Sequence, residues 1–168
     1  MDTSSWSPFA LAELFDIEKG TRLTKADMKP GAIHFIGATA FNNGVTAKIG
    51  NDEHLHPANV ITVSYNGSVG EAFYQEEPFW ASDDVNILYP KFSLTREIAL
   101  FLIPLIRAAG KQYEFIDKWK LEDMKATVIR LPVSENGSPD WTWMESFMAK
   151  QLQEMEKYIH CLCTTLCI

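Results

Sequence analysis

Apolar residues in the first 90 positions fall into short runs broken by Gly, Pro, Asn and Asp, the pattern of brief strands joined by turns. Ala10 to Phe15 reads as a short helix or turn, and an extended segment begins at Ile17. Strands are predicted at Ala32 to Ile36, Val45 to Ile49, Val60 to Tyr65, Val69 to Tyr74 and Val85 to Tyr89. Phe41 to Gly44 reads as a turn, Gly50 to Pro57 as a polar loop and Pro78 to Asp84 as a connection. Asn66-Gly67 is the signal for a two-residue type I′ hairpin, in which both central residues take positive φ. With Tyr65 opposite Ser68, Ile61, Val63, Tyr65, Gly70 and Ala72 share one face, and Val60, Thr62, Ser64, Val69, Glu71 and Phe73 the other. Gly67 and Gly70 leave the tip nearly bare, so its backbone could approach another polymer. An ordinary turn needs the same residues for geometry alone.

After Thr95 the apolar period lengthens. Ile98, Leu102, Leu105 and Ile106 mark a helix ended by Gly110, Leu121 to Lys125 a helical turn, and Thr127 to Val133 a strand able to rejoin the sheet. Asp140 is placed to cap a last helix, on which Met148, Leu152, Met155, Ile159, Leu162 and Leu166 repeat at alternating four- and three-residue spacing. That heptad seam requires a surface to cover it: its own domain, a second copy or a partner subunit. The expected fold is α+β, a compact, curved, mostly antiparallel sheet with flanking helices plus a C-terminal coiled-coil-type helix. The division falls between residues 1–139 and 140–168.

A length of 168 residues with 46% hydrophobic content suits one proper core. Cys161, Cys163 and Cys167 crowd the last residues and leave the core without thiols, which suits a reducing compartment. Neither a basic leader followed by an apolar stretch nor a membrane-length apolar run is present, so a soluble cytoplasmic protein with no membrane partner is expected. The net charge of −7 argues against a generic nucleic-acid binder. Residues 19–70 alone carry +2, through Lys19, Arg22, Lys25, Lys29 and Lys48 against Asp27, Asp52 and Glu53. A solvated loop or a localised DNA contact would each produce that local excess.

Signatures of catalysis are sparse, and no catalytic residue is assigned. The chain has no phosphate-binding glycine loop, no dinucleotide fingerprint and no methyltransferase Asn-Pro-Pro-Tyr loop. Ser68 lacks the strand-turn-helix setting of a nucleophile elbow. Asp140 lacks the acidic-x-Lys partner of a metal-dependent nuclease, because Asp123-x-Lys125 precedes it. His54-x-His56 reads as a pair of solvated loop histidines, Asp83-Asp84 as a solvated acidic pair, and the cysteine cluster as tail; no metal site is assigned.

Several short motifs stand in a fixed order: Trp6, Leu14-Phe-Asp-Ile-Glu-Lys-Gly-Thr-Arg-Leu23, His34-Phe-Ile-Gly-Ala-Thr39, Asn43-Gly-Val45, Asn59-Val-Ile-Thr-Val63, Gly67-Ser-Val-Gly70 and Asp84-Val-Asn-Ile-Leu88. In this order they resemble the target recognition domain of type I restriction-modification specificity subunits. The helix from Arg96 to Arg107 and the closing Leu131-Pro-Val133, Gly137-Ser-Pro-Asp-Trp141 and Met144-Glu145 are similar to the version in type IIB systems. Specificity subunits of that family carry two recognition domains, each reading half of a split DNA site, separated by long helices that hold the methyltransferase subunits. This chain, with one such domain and one helix, resembles half a subunit, and two-fold dimerisation would restore the other half.

The resemblance implies a non-catalytic subunit on double-stranded DNA, partnered by an adenine methyltransferase, with or without a restriction subunit. No cofactor is expected in this chain; S-adenosylmethionine would sit on the methyltransferase. Candidate DNA-binding residues are Lys19, Thr21, Arg22, Thr24, Lys25, Asn42, Asn43, Ser64, Tyr65, Asn66, Gly67 and Ser68. Arg and Lys suit guanine edges, Asn suits adenine, and Ser or Thr suit bases or phosphates. The rival readings are a small nuclease or methyltransferase fragment, and a truncated or decoy module that binds the methyltransferase without reading DNA.

Overall fold

Short apolar runs give short strands here, and the layers that bury them hold the loops together. A computed structural model describes residues 3–113 and 118–166, with side chains through residue 162. The elements are β1 (Ser7–Ala10), α1 (Leu11–Leu14), β2 (Phe15–Lys19), β3 (Pro30–Ile36), β4 (Val45–Ile49), β5 (Val60–Ser64), β6 (Ala72–Gln75), β7 (Phe79–Ala81) and β8 (Val85–Pro90). They continue with α2 (Arg96–Gly110), α3 (Leu121–Ala126), β9 (Val128–Leu131) and α4 (Trp141–Leu166). A 3-10 turn, Asn42–Gly44, precedes β4.

The fold is α+β and mostly antiparallel, as the pattern predicts, with the strands divided over three sheets ordered β2-β8-β5-β6, β4-β3-β7 and β1-β9. Among the described residues, only β3 and β7 pair in parallel. The predicted return strand, β9, pairs with β1 and not with the central sheet. Alternation explains the layering. Ile61, Val63, Ala72 and Leu88 point into the cluster shared with Ile98, Leu102 and Ile106 of α2. From the other face, Val60, Val85 and Ile87 meet Ile36 of β3 and Phe79 and Ala81 of β7. The central sheet is therefore covered on both sides, and each fully buried Ile, Leu or Phe contributes about 1.5–3 kcal/mol through removal from water.

The hairpin differs from its prediction. Val60 pairs with Gln75 and Val63 with Ala72, a slip of two residues from the expected register. A slip of two keeps every side chain on its predicted face, because the strand period is two. The connection is a wider loop: the Ser64 N–H donates to Glu71 O and the Gly70 N–H to Ser64 O, both at 2.9 Å. Gly67 takes φ +72°, but Asn66 is not in the positive-φ region, so the turn is not type I′. Nor is the tip bare. A Cβ on Gly67 would stand 3.2 Å from the Ala38 Cβ, and one on Gly110 would stand 2.8 Å from the Gly70 Cα and from the Trp119 ring. Glycine at 70 and 110 lets the loop close on the end of α2.

Thr95 caps α2 by accepting from the Ile98 N–H, and Asp140 caps α4 by accepting from the Trp143 N–H at 2.9 Å. The start of α4 is core. Met144 is fully buried, Trp141 stacks on Phe92 at 3.8 Å, and Phe147 meets Phe101 edge-on. Packing thus continues across the expected division at residue 139/140.

Candidate nucleic-acid interface

Strand pairing fixes which loops share an end. Lys19 closes β2 opposite Asn86 near the start of β8, and Ser64 closes β5 opposite Val85. Ala72 opens β6 opposite Val63, while Ile36 closes β3 opposite Ala81, the end of β7, and Val45, the start of β4. Loops 20–29, 37–44, 65–71 and 82–84 therefore leave the sheets from neighbouring strand ends. Hydrogen bonds join them: Gly20 N–H to Val85 O, Thr21 N–H to Ala81 O, and Ser82 N–H to Ile36 O, at 2.8–2.9 Å.

Asp83 and Asp84 are the hub. The Tyr65 hydroxyl donates to the Asp83 carbonyl at 2.7 Å, the Asn66 amide donates to the Asp84 carboxylate at 2.8 Å, and the Tyr65 N–H donates to the Asp84 carbonyl at 3.1 Å. Arg22 lies 3.6 Å from the Asp83 carboxylate with its side chain 77% exposed. The Lys19 ammonium sits 5.3 Å from the centre of the Tyr65 ring. Hydrogen bonding to Tyr65 raises the Lys19 pKa above its ordinary value, against a smaller effect of burial, so this cation stays charged. An exposed pair such as Arg22 with Asp83 is worth only about 0.2–1 kcal/mol, so a phosphate or a guanine edge can displace the carboxylate at little cost. Sequence reading treated the acidic pair as a solvated cap; its role depends on β8 beginning beside both Lys19 and Ser64, which no local signal reveals.

The candidates divide by where the fold places them. Lys19, Arg22, Tyr65 and Asn66 are brought together around Asp83-Asp84, and Thr21 is tied to Ala81 at the start of that connection. Arg22, Thr24 and Lys25 line a recess of about 540 Å³ with Thr46 and Ser82, and Thr24 donates to Asp27 as a local cap. Gly67 is exposed and Ser68 half-exposed on the adjoining loop. Asn42 and Asn43 stand apart, committed to their own turn: Asn42 donates to Val45 O and Asn43 to Tyr74 O, both at 3.0 Å. Ser64 is 3% exposed within β5, which withdraws its side chain from a base edge.

His54 is exposed, as expected of a loop histidine, whereas His56 is not solvated. His54 meets Trp80 edge-on, and His56 packs against Phe79, with its Nδ1 2.6 Å from the Tyr89 hydroxyl and its Nε2 buried without a hydrogen-bond partner. Burial lowers the His56 pKa below 6.5 and, with Glu18 adding, pushes the Tyr89 phenol up to about 12. Among the described residues no cluster of three or more His, Cys, Asp or Glu could hold a metal, and no helix is long and apolar enough to cross a membrane. Cys161 is exposed; Cys167 and the side chain of Cys163 lie outside the described residues.

At the other end of the chain the predicted seam divides. Met148 and Leu152 are half-buried, while Met155, Ile159 and Leu162 are 59%, 54% and 43% exposed, with Tyr158 67% exposed beside them. The Leu166 side chain lies outside the described residues.

The type I restriction modification DNA specificity domain matches residues 3–159. The type II restriction enzyme BgcI specificity subunit S.BcgI of Heyndrickxia coagulans is 42% identical over 147 residues, which cover 87% of this chain and 43% of that protein. Three solved structures share the fold. The S subunit of a type I restriction-modification system from M. genitalium has TM-score 0.63 and 17% identity, over 96% of this chain and 44% of that one. The HsdS subunit of Thermoanaerobacter tengcongensis has TM-score 0.64 and 14% identity, over 94% and 40%. A chain from a type I restriction-modification assembly has TM-score 0.68 and 15% identity, over 98% and 43%. This chain spans less than half the length of each of these relatives.

Proposed function

Because this chain belongs to the family of type I restriction-modification DNA specificity domains, we propose that it is a non-catalytic DNA-recognition subunit that directs an adenine methyltransferase, with or without a restriction subunit, to a defined site on double-stranded DNA. The observation that carries this reading is the convergence of Lys19, Arg22, Tyr65 and Asn66 on Asp83-Asp84 at one end of the sheets. Two kinds of base-reading chemistry meet there, guanidinium and ammonium for guanine and amide for adenine, beside a hydroxyl suited to phosphate. Residues 19–70 carry +2 in a chain of net charge −7, and at the hub Lys19 and Arg22 are balanced by Asp83 and Asp84, a distribution that favours a confined contact over non-specific coating of DNA.

The exposed end of α4 serves association. Met155, Tyr158, Ile159 and Leu162 form an apolar stripe that the domain does not cover, and a two-fold pair of such helices would present two recognition domains to a site with inverted halves. S-adenosylmethionine binds the methyltransferase partner, and the complex works in the cytoplasm.

The test is sequence-selective, salt-dependent retention of a DNA library by this chain with its methyltransferase. Selection of one sequence supports the reading. No selectivity at low salt contradicts it and favours a decoy that binds the methyltransferase alone, and DNA cleavage or methylation by the chain alone would make it an enzyme.

A further inference from the structure

The loop from Gly37 to Gly44 is built more firmly than a simple connection requires. Asn42, Asn43 and Gly44 have φ of 51°, 52° and 80°, three successive residues in the left-handed region, which glycine and, after it, asparagine adopt most readily. The surroundings hold them there. Asn42 donates to Val45 O at 3.0 Å, Asn43 to Tyr74 O at 3.0 Å, and Gln75, itself 2% exposed, returns a bond to Asn43 O at 3.2 Å. The Gly37 N–H closes the neck on Gly44 O at 2.9 Å, and the Gly44 N–H donates to Phe41 O at 3.0 Å. On this support stands Phe41, 78% exposed, the most exposed large apolar side chain among the described residues. No ring contact engages it there. The loop starts beside the recognition end, since Ala38 lies against Gly67 of the Asn66 loop.

We propose that Phe41 is a specificity-determining wedge that enters the DNA at a base step and stacks on an exposed base face. The inference rests on the DNA-reading function proposed above. A phenyl ring contributes no charge and no hydrogen bond, so its place in a DNA contact is stacking, and stacking between base pairs requires a side chain on a fixed support. The bolted turn provides that support, and the domain's own core does not use the ring. Insertion is cheapest at pyrimidine–purine steps, so Phe41 contributes sequence preference through deformability without a hydrogen bond to a base edge.

The test uses the chain with its methyltransferase and the DNA sequence it selects, with 2-aminopurine placed in turn at each step. Wild type should raise the fluorescence at one step. Phe41→Ala should abolish that rise and weaken selective binding by about tenfold or more at an unchanged salt dependence, and Phe41→Trp should preserve both effects. Equal affinity and selectivity for Phe41→Ala and wild type overturns the wedge and leaves the DNA-reading function standing. Weaker binding by Phe41→Ala with no fluorescence rise at any step for wild type also overturns insertion, leaving Phe41 as a groove contact. A wild-type complex that selects no sequence overturns the DNA-reading function and the wedge with it.

Discussion

The two halves of α4 carry one continuous apolar pattern and have opposite fates. Its first half spends that face inside the domain, where Met144 is fully buried and Trp141 stacks on Phe92 at 3.8 Å. Its second half holds Met155, Ile159 and Leu162 43–59% exposed. Period alone therefore identifies a helix with a sticky stripe but not what the stripe touches. The strand-end loops differ from both. They project polar groups, and their internal bonds fix the positions of those groups without using up the exposed cations.

The largest effect expected of a single change lies in the docked half. Met144→Ala should lower unfolding stability by about 2–5 kcal/mol, seen as a shifted urea midpoint, because a cavity opens under α2. Ile159→Asp should leave the urea midpoint within about 0.5 kcal/mol of wild type and should weaken association, measured by sedimentation with the methyltransferase or with itself, by about tenfold or more. Were Ile159→Asp to destabilise the domain as Met144→Ala does, the contrast between the halves would be lost.

A smaller effect distinguishes the loops from the helix. Arg22→Ala and Lys25→Ala should each reduce the salt dependence of DNA binding by about one unit of log–log slope, with stability unchanged, while Ile159→Asp leaves the slope per domain alone. The smallest expected effect concerns pH. The folded pKa of His56 lies below 6.5 through burial, so the unfolded chain takes up its proton first. Stability from neutral His56 is fully present above pH 6.5 and is lost as pH falls below it. Urea midpoints at about pH 7.5 and 5.5 should show that loss, and His56→Phe should remove its share of the slope.

Much of this was legible locally. The positions of β4, β5, β8 and α2, the Asp140 cap and the two faces of the hairpin follow from period and capping chemistry. What was missed depends on distant partners. Phe79–Ala81 reads as a connection after Pro78 and becomes a strand only by parallel pairing with β3. Ser7–Ala10 contains Pro8 and survives as a strand in a two-stranded sheet with β9, where a missing donor is tolerated. The Asn66-Gly67 turn signal was overridden because the Asn66 side chain is tied to Asp84 and Gly70 closes on Gly110. In the candidate interface, Lys19, Arg22 and Asn66 were readable as residue types, whereas the Asp83-Asp84 hub and the burial of Ser64 arise from the sheet order.

Amide hydrogen exchange of the chain with its methyltransferase, with and without the selected DNA, tests the central claim most directly. The account expects DNA to slow exchange in residues 20–28, 37–44, 65–70 and 82–84 and to leave residues 153–162 at the level set by the methyltransferase alone. DNA-dependent protection on α4, or at none of the four loops, would contradict it.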